Sequence, residues 1–118
     1  MLRGRKSRCN KYGNTKTTVD GILFDSKKEA DYYCELKMLK MAGKVRDFER
    51  QVGFVLQNGY RANNGKWIRP IKYYADFVVN YTDGHTEVVD VKGVRTEVYK
   101  IKKKMLLRLL KTEKFREI

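Results

Sequence analysis

The run Tyr74-Ala75-Asp76-Phe77-Val78-Val79-Asn80-Tyr81-Thr82-Asp83-Gly84-His85-Thr86-Glu87-Val88-Val89-Asp90-Val91-Lys92-Gly93 decides the fold. Two stretches rich in β-branched and aromatic residues flank an Asp-Gly turn signal, the pattern of an antiparallel hairpin. Side chains alternate along a strand, so Asp90 and Lys92 share a face. Whether Asp76 joins them depends on the turn. A two-residue Asp83-Gly84 loop sets Asp76 against Val91, on the face opposite Asp90. A three-residue loop, Thr82-Asp83-Gly84 with Gly84 in the left-handed bulge position, sets Asp76 directly across from Asp90. In that second register Ala75, Phe77 and Val79 share a face with Val91, Val89 and Glu87. Asp76, Asp90, Lys92, Tyr74, Asn80 and Thr86 gather on the other face, where Val78 and Val88 are the apolar pair. A one-residue slip inverts every side chain, so the cleaner segregation selects the three-residue loop.

Upstream, Thr17-Thr18-Val19 and Ile22-Leu23-Phe24 flank Asp20-Gly21, a short hairpin of the primed-turn type. Ser26 is a good N-cap, and Glu29 three residues later completes a capping-box pattern. Ala30, Tyr33, Cys34, Leu36, Met38, Leu39 and Met41 carry a helix to about residue 42, where Gly43 stops it. Val45 to Gln57 reads as a strand, bulged near Gly53. Asn58-Gly59 and Asn63-Asn64-Gly65 mark a loop or hairpin tip that holds Arg61, Trp67 and Arg69 nearby, residues able to reach a groove or a flipped strand. A second strand is expected from Trp67 to Tyr81, entered by Pro70, and a third from His85 to Val91. Downstream, Thr96 can N-cap a second helix. Val98, Ile101, Met105 and Leu109 lie at i, i+3, i+7 and i+11 as its apolar stripe, which leaves none over for an interface. A terminal strand from Lys114 to Ile118 completes the order hairpin–α–β–β–β–α–β. The predicted class is α/β or α+β, with a central mixed sheet flanked by helices.

Length and charge bound the function. The chain has 118 residues, enough for one domain. Residues 1–15 read as a basic mobile arm and 16–118 as a single domain. No apolar run suits a membrane span, and nothing after the basic start reads as a signal peptide. Cys9 and Cys34, with no metal-binding spacing, suggest neither a zinc site nor a disulfide framework, and point to a reducing cytoplasm, bacterial or of a phage-infected host. Lys plus Arg is 27 against 14 acids, a net of +13. Residues 1–20 carry a net +5, residues 92–118 a net +7, and residues 21–91 only +1. Two basic flanks around an acid-bearing centre suggest a polyanion partner and a separate acidic site. Arg3, Arg5, Lys6 and Arg8 of the arm, and Lys100, Lys103 and Lys104 of the second helix, are the expected contacts to a DNA backbone.

Two opposed carboxylates repel unless a cation lies between them. Hard oxygen ligands at this spacing suit Mg²⁺ or Mn²⁺, and the adjacent Lys92 suits phosphodiester chemistry. The plainer reading makes Asp90 and Lys92 a surface ion pair and Asp76 a strand-edge residue. Asp76, thirteen residues, then Asp90-Val91-Lys92 resembles the D-x(n)-(D/E)-x-K signature of the PD-(D/E)XK nuclease superfamily. The wider stretch, Asp20 to Ala30, Gln51, Tyr73 to Phe77 and Asp90 to Gly93, is similar to a family of small phage and prophage proteins assigned to that fold. Junction-resolving endonucleases of phages and archaea are similar in the core motif order alone.

The resemblance implies a restriction-endonuclease-like α-β-β-β-α-β core. Asp76 and Asp90 would be metal ligands, Lys92 the catalytic lysine, the carbonyl of Val91 a further ligand, and Glu29 the acid that completes the cluster. Glu29 also serves the capping box, and both roles can hold at once. Gln51 would lie beside the metal or its water. Ala75 stands where the superfamily has a proline. The implied function is metal-dependent hydrolysis of DNA, duplex or branched, including recombination intermediates; a junction substrate would call for a homodimer. The competing readings are a non-catalytic nucleic-acid-binding protein and a nuclease subunit of a phage recombination or packaging machine.

Overall fold

A computed structural model describes residues 16–91 and 95–118. The expected arm residues Arg3, Arg5, Lys6 and Arg8 lie outside the described residues, as does Lys92. The described chain is a mixed α+β protein with two helices and a central mixed sheet. It divides into two compact units.

The first unit holds the described residues up to Asp47, together with Tyr81–Asp83. Strands β1 (Thr17–Val19) and β2 (Ile22–Phe24) pair antiparallel. Asp20 and Gly21 sit at φ 55° and 77°, the two positive values a primed turn requires. Helix α1 spans Lys27–Met41, and the Ser26 hydroxyl accepts the Glu29 N–H at 3.1 Å as its N-cap. Gly43, at φ 80°, ends it. Its N–H reaches the Lys40 carbonyl, and the Lys44 N–H reaches Leu39, the paired bonds of a Schellman cap. Phe24, Ala30, Tyr32, Leu36 and Val45 form the buried interior, whereas Met38 and Met41 are exposed. The apolar count therefore overstated the buried face of α1 and passed over Tyr32. Cys34 is disulfide-bonded, which corrects the expectation of two free thiols. Sequence spacing says nothing of which sulfurs the fold brings together; the other cysteine, Cys9, lies outside the described residues.

The second unit holds Phe48–Asn80 and Gly84–Ile118. Strand β3 (Val45–Gln57) runs into a small antiparallel ribbon of β4 (Tyr60–Arg61) and β5 (Trp67–Ile68). Strands β6 (Ile71–Tyr81), β7 (Thr86–Asp90) and β8 (Lys114–Glu117) follow, with helix α2 (Glu97–Leu109) before β8. The four long elements order as β3-β6-β7-β8, with β6–β7 antiparallel and β7–β8 parallel. The strand expected from Trp67 to Tyr81 is thus two strands. Pro70 has no N–H to give a ladder, so the chain breaks there and Trp67–Ile68 pair back with Tyr60–Arg61.

Thr96 caps α2, its hydroxyl accepting the Tyr99 N–H at 3.1 Å. The buried face of α2 differs from the expected stripe. Tyr99 and Leu106 are buried with Leu110 partly so, while Val98, Ile101 and Leu109 are exposed. Tyr99 packs 6.1 Å from Tyr73, and the Lys103 stem brings its ammonium 5.3 Å from the Phe115 ring. Two stripes of similar spacing compete on this helix, and the aromatic one, assisted by a lysine stem, takes the sheet.

Candidate functional site

The register of the β6–β7 hairpin fixes the site. Phe77 pairs with Val89, Val78 with Val88, Val79 with Glu87 and Asn80 with Thr86. The paired ladder ends at Phe77 and Val89, and Asp76 and Asp90 are the next residue on each strand beyond it. Gly84 takes the left-handed conformation that the three-residue loop needs, at φ 103°. Phe77 and Val79 are wholly buried as this register requires, whereas Ala75, expected on their face, is buried in the cluster of Tyr73, Val88, Tyr99 and Leu106.

The two carboxylates are cross-laced to the facing strands. Asp76 N–H donates to Asp90 Oδ1 at 3.3 Å, and Val91 N–H donates to Asp76 Oδ2 at 2.8 Å. Asp90 is fully buried because β7 is an interior strand, flanked by β6 and β8. Its carbonyl accepts the Ile118 N–H at 2.9 Å. A buried carboxylate is costly unless hydrogen-bonded or paired with a cation. Asp76 is half-buried and so reachable from solvent. The β7 face that carries Val88 is less polar than the sequence suggests, since Val88 is buried with Tyr73, Ala75, Tyr99 and Leu106, and Val78 and Phe115 pack against them.

Gln51 contributes an unforeseen feature. It adopts φ 52° within β3, one of two described non-glycine residues with positive φ. That conformation costs on the order of 1 kcal/mol or more and persists only where the surroundings enforce it. The expected irregularity near Gly53 therefore sits two residues earlier, and it turns Gln51 so that Nε2 lies 3.5 Å from Asp76 Oδ1. No sequence signal marks a glutamine for the left-handed region.

The donor set fits a hard divalent cation in its chemistry. Mg²⁺ is commonly held by one or two carboxylates and keeps several waters, so Asp76 and Asp90 supply what it asks of a protein. Among the described residues no group of three or more His, Cys, Asp or Glu side chains is assembled. Val91 meets Asp76 through its N–H. Glu29, in the first unit, is buried, and its backbone N–H serves the α1 cap; His85 is half-buried after the turn.

The second-helix cations are placed unequally. Lys104 is exposed, Lys100 pairs with Glu97 at 3.2 Å, and Lys103 pairs with Glu117 at 3.2 Å. Together with Arg95 and Tyr99 they line a cleft of about 490 Å³ between α2 and β8. Arg95 adds a second cation to Glu117 at 3.5 Å, and Tyr99 donates its hydroxyl to the same carboxylate. The bond from Tyr99, followed by Lys103 and Arg95, holds Glu117 below the usual carboxylate range. Burial, then the bond to Glu117, pushes the Tyr99 phenol up, and the charge of Asp90 adds to it. Sequence reasoning did not single out Tyr99, whose hydroxyl holds Glu117.

Paired aspartates from adjacent strands of a mixed sheet, with a cation-lined helix following, define an α+β protein with an acidic strand-borne site. The chain belongs to the family described as protein of unknown function (DUF1064), whose model matches residues 9–118. Neither a curated protein nor a solved structure matches it. Among the described residues no helix is long and apolar enough to cross a membrane.

Proposed function

We propose that the chain is a metal-dependent DNA endonuclease of the PD-(D/E)XK type, hydrolysing phosphodiester bonds with Mg²⁺ or Mn²⁺. The observation that carries this reading is the Asp76–Asp90 juxtaposition, with each carboxylate tied to the backbone of the facing strand and Gln51 beside Asp76. Asp76 and Asp90 would hold the metal, whose bound state supplies Lewis-acid polarisation of a phosphate oxygen and a more acidic water. The cross-strand bonds keep the two carboxylates from swinging apart before substrate arrives. Gln51 steadies Asp76 or orients the attacking water. Lys92, two residues after Asp90, would stabilise charge developing on the phosphate. Glu29 is the acid the superfamily resemblance adds. The net charge of +13 supports a polyanionic substrate.

A second reading rests on the same bonds. Carboxylates that accept strand N–H groups also serve as structural caps, which would leave a DNA-binding protein without catalysis. One experiment separates the two. Supercoiled plasmid, single-stranded DNA and a four-way junction are incubated with Mg²⁺ or Mn²⁺ and wild type, Asp76→Asn, Asp90→Asn, Lys92→Ala or Gln51→Ala. The nuclease reading expects cleavage by wild type, none by the aspartate and lysine variants, and a roughly 10- to 100-fold loss for Gln51→Ala, with circular dichroism unchanged. Wild type that binds all three substrates and cuts none under either metal overturns it in favour of the binder.

A further inference from the structure

The β4–β5 ribbon and the strand that follows carry a surface that the aspartate site does not use. Tyr60, Trp67 and Tyr74 are each about half exposed, at 47%, 54% and 56%. Soluble domains rarely leave three large aromatic rings in water along one short stretch, and such rings commonly mark recognition surfaces. Two of them lie over glycine backbone. A Cβ at Gly59 would come within 2.5 Å of Trp67 Cζ2, and one at Gly53 within 3.0 Å of Tyr74 Cε1. The missing side chains let each ring settle on the main chain, with much of its surface still in solvent.

The ribbon is braced locally. Ala62 N–H donates to the Lys66 carbonyl at 2.8 Å, and Gly65 N–H to the Ala62 carbonyl at 2.9 Å. Arg61 donates to the Gly65 carbonyl at 2.9 Å, while its guanidinium carbon sits 5.8 Å from the Trp67 ring centroid. The charge is one-sided. From Gln51 to Ala75 the chain contains Arg61, Lys66, Arg69 and Lys72 and no acidic residue. All four cations are exposed. Tyr74 also borders a cleft of about 220 Å³ that includes Lys72 and Lys102.

We propose that this surface is a stacking platform for the unpaired bases of single-stranded DNA, with Trp67 as the main seat and Tyr74 as the second. Arg61, Lys66, Arg69 and Lys72 hold the phosphates between bases. Flat aromatic faces beside an acid-free cationic stretch match a polymer that alternates planar rings and negative charge. A duplex hides its base faces in the stack and offers this platform only its phosphates. A second copy of the chain suits the surface poorly, because both copies would bring the same cations. The inference rests on the DNA-directed reading above and narrows its substrate to DNA with unpaired bases. Ile71 opens β6 five residues before Asp76, so the ribbon base lies roughly 17 Å along the strand from the aspartates. One bound strand can span both.

Trp67 is the only tryptophan in the chain, so its emission reports on the platform alone. Full-length protein in EDTA, where no metal-dependent cleavage occurs, is titrated with short oligo(dT) and with blunt duplex of equal length, and binding is followed in parallel by anisotropy. The platform expects strong quenching by oligo(dT), little by duplex, and affinity for oligo(dT) that falls steeply with salt. Trp67→Ala should lose roughly ten-fold or more in affinity for oligo(dT), Tyr74→Ala less, and Trp67→Phe only a few-fold. Emission unchanged at anisotropy saturation overturns the platform, as does equal quenching by duplex. A shift that follows protein concentration without DNA overturns it in favour of self-association. Cleavage with no quenching removes the platform and leaves the nuclease, whereas quenching without cleavage does the reverse.

Discussion

The β1–β2 hairpin buries Thr17, Val19 and Phe24 and is tied through Asp20 to Tyr33 and Lys37 of α1, whereas the β4–β5 ribbon buries no residue at all. Both are two-stranded sheets, which are marginal in water by themselves. The first gains stability as most hairpins do, with Phe24 packed 5.1 Å from the Tyr33 ring. The second is held by continuity with β3 and β6, by its own backbone bonds and by Trp67 lying against Gly59. Aromatic content therefore does not say where a hairpin's apolar surface goes. One ribbon uses its ring to build a core, and the other keeps its rings available.

The sharpest way to break that contrast is to delete one ring from each hairpin. Phe24→Ala should destabilise by about 3–5 kcal/mol, the range for a buried phenylalanine. Trp67→Ala should change stability by less than about 1 kcal/mol, because the site has little to lose to a cavity. Urea unfolding of both variants measures the difference, and comparable losses would mean Trp67 is core. Gly59→Ala should have a smaller effect, centred on the ring. The new methyl meets Trp67 Cζ2 and also approaches the Ile68 carbonyl to 3.1 Å. The ring can swing away, so the expected outcome is a shifted Trp67 emission with a stability change of about 1 kcal/mol or less. An unaltered spectrum would mean that the ring does not rest on that glycine.

The smallest expected effect concerns acid. The bond from Lys37, followed by that from Tyr33, lowers the Asp20 carboxyl below its ordinary value of 3.8. A depressed folded-state value contributes stability that is present above 3.8 and is lost as pH falls through the lower folded value. The pair is exposed and screened by salt, so the contribution is small. Amide resonances of β1–β2 should move as the pH drops below 3.8, while those of β4–β5, which has no carboxylate, stay in place. Movement of both together would show that acid acts on the whole chain instead.

Much of the fold was legible because it rests on local rules. The Asp20-Gly21 turn, the Ser26 and Thr96 caps, the Gly43 stop and the three-residue loop ending at Gly84 each follow from conformations only certain residues adopt. The β6–β7 register, from Phe77–Val89 to Asn80–Thr86, was legible for a different reason, since period two and a buried face leave one acceptable register. The break at Pro70 was misread because a strand-like composition on both sides outweighed one missing N–H. The stripe on α2 was misread because Val98, Ile101 and Leu109 share the spacing of the face that the helix buries.

The sequence by itself determined the turns, caps and strand register, all set by interactions within a few residues or across one hairpin. Tertiary structure alone decided that Asp90 is buried, that Gln51 turns into the left-handed region beside Asp76, and that Tyr99 and Leu106 cover the sheet. It also decided that Trp67 and Tyr74 stand in water. Those outcomes depend on which surfaces meet across long separations in the chain, and hydrophobicity ranks residues without saying which of two equal faces will find a partner.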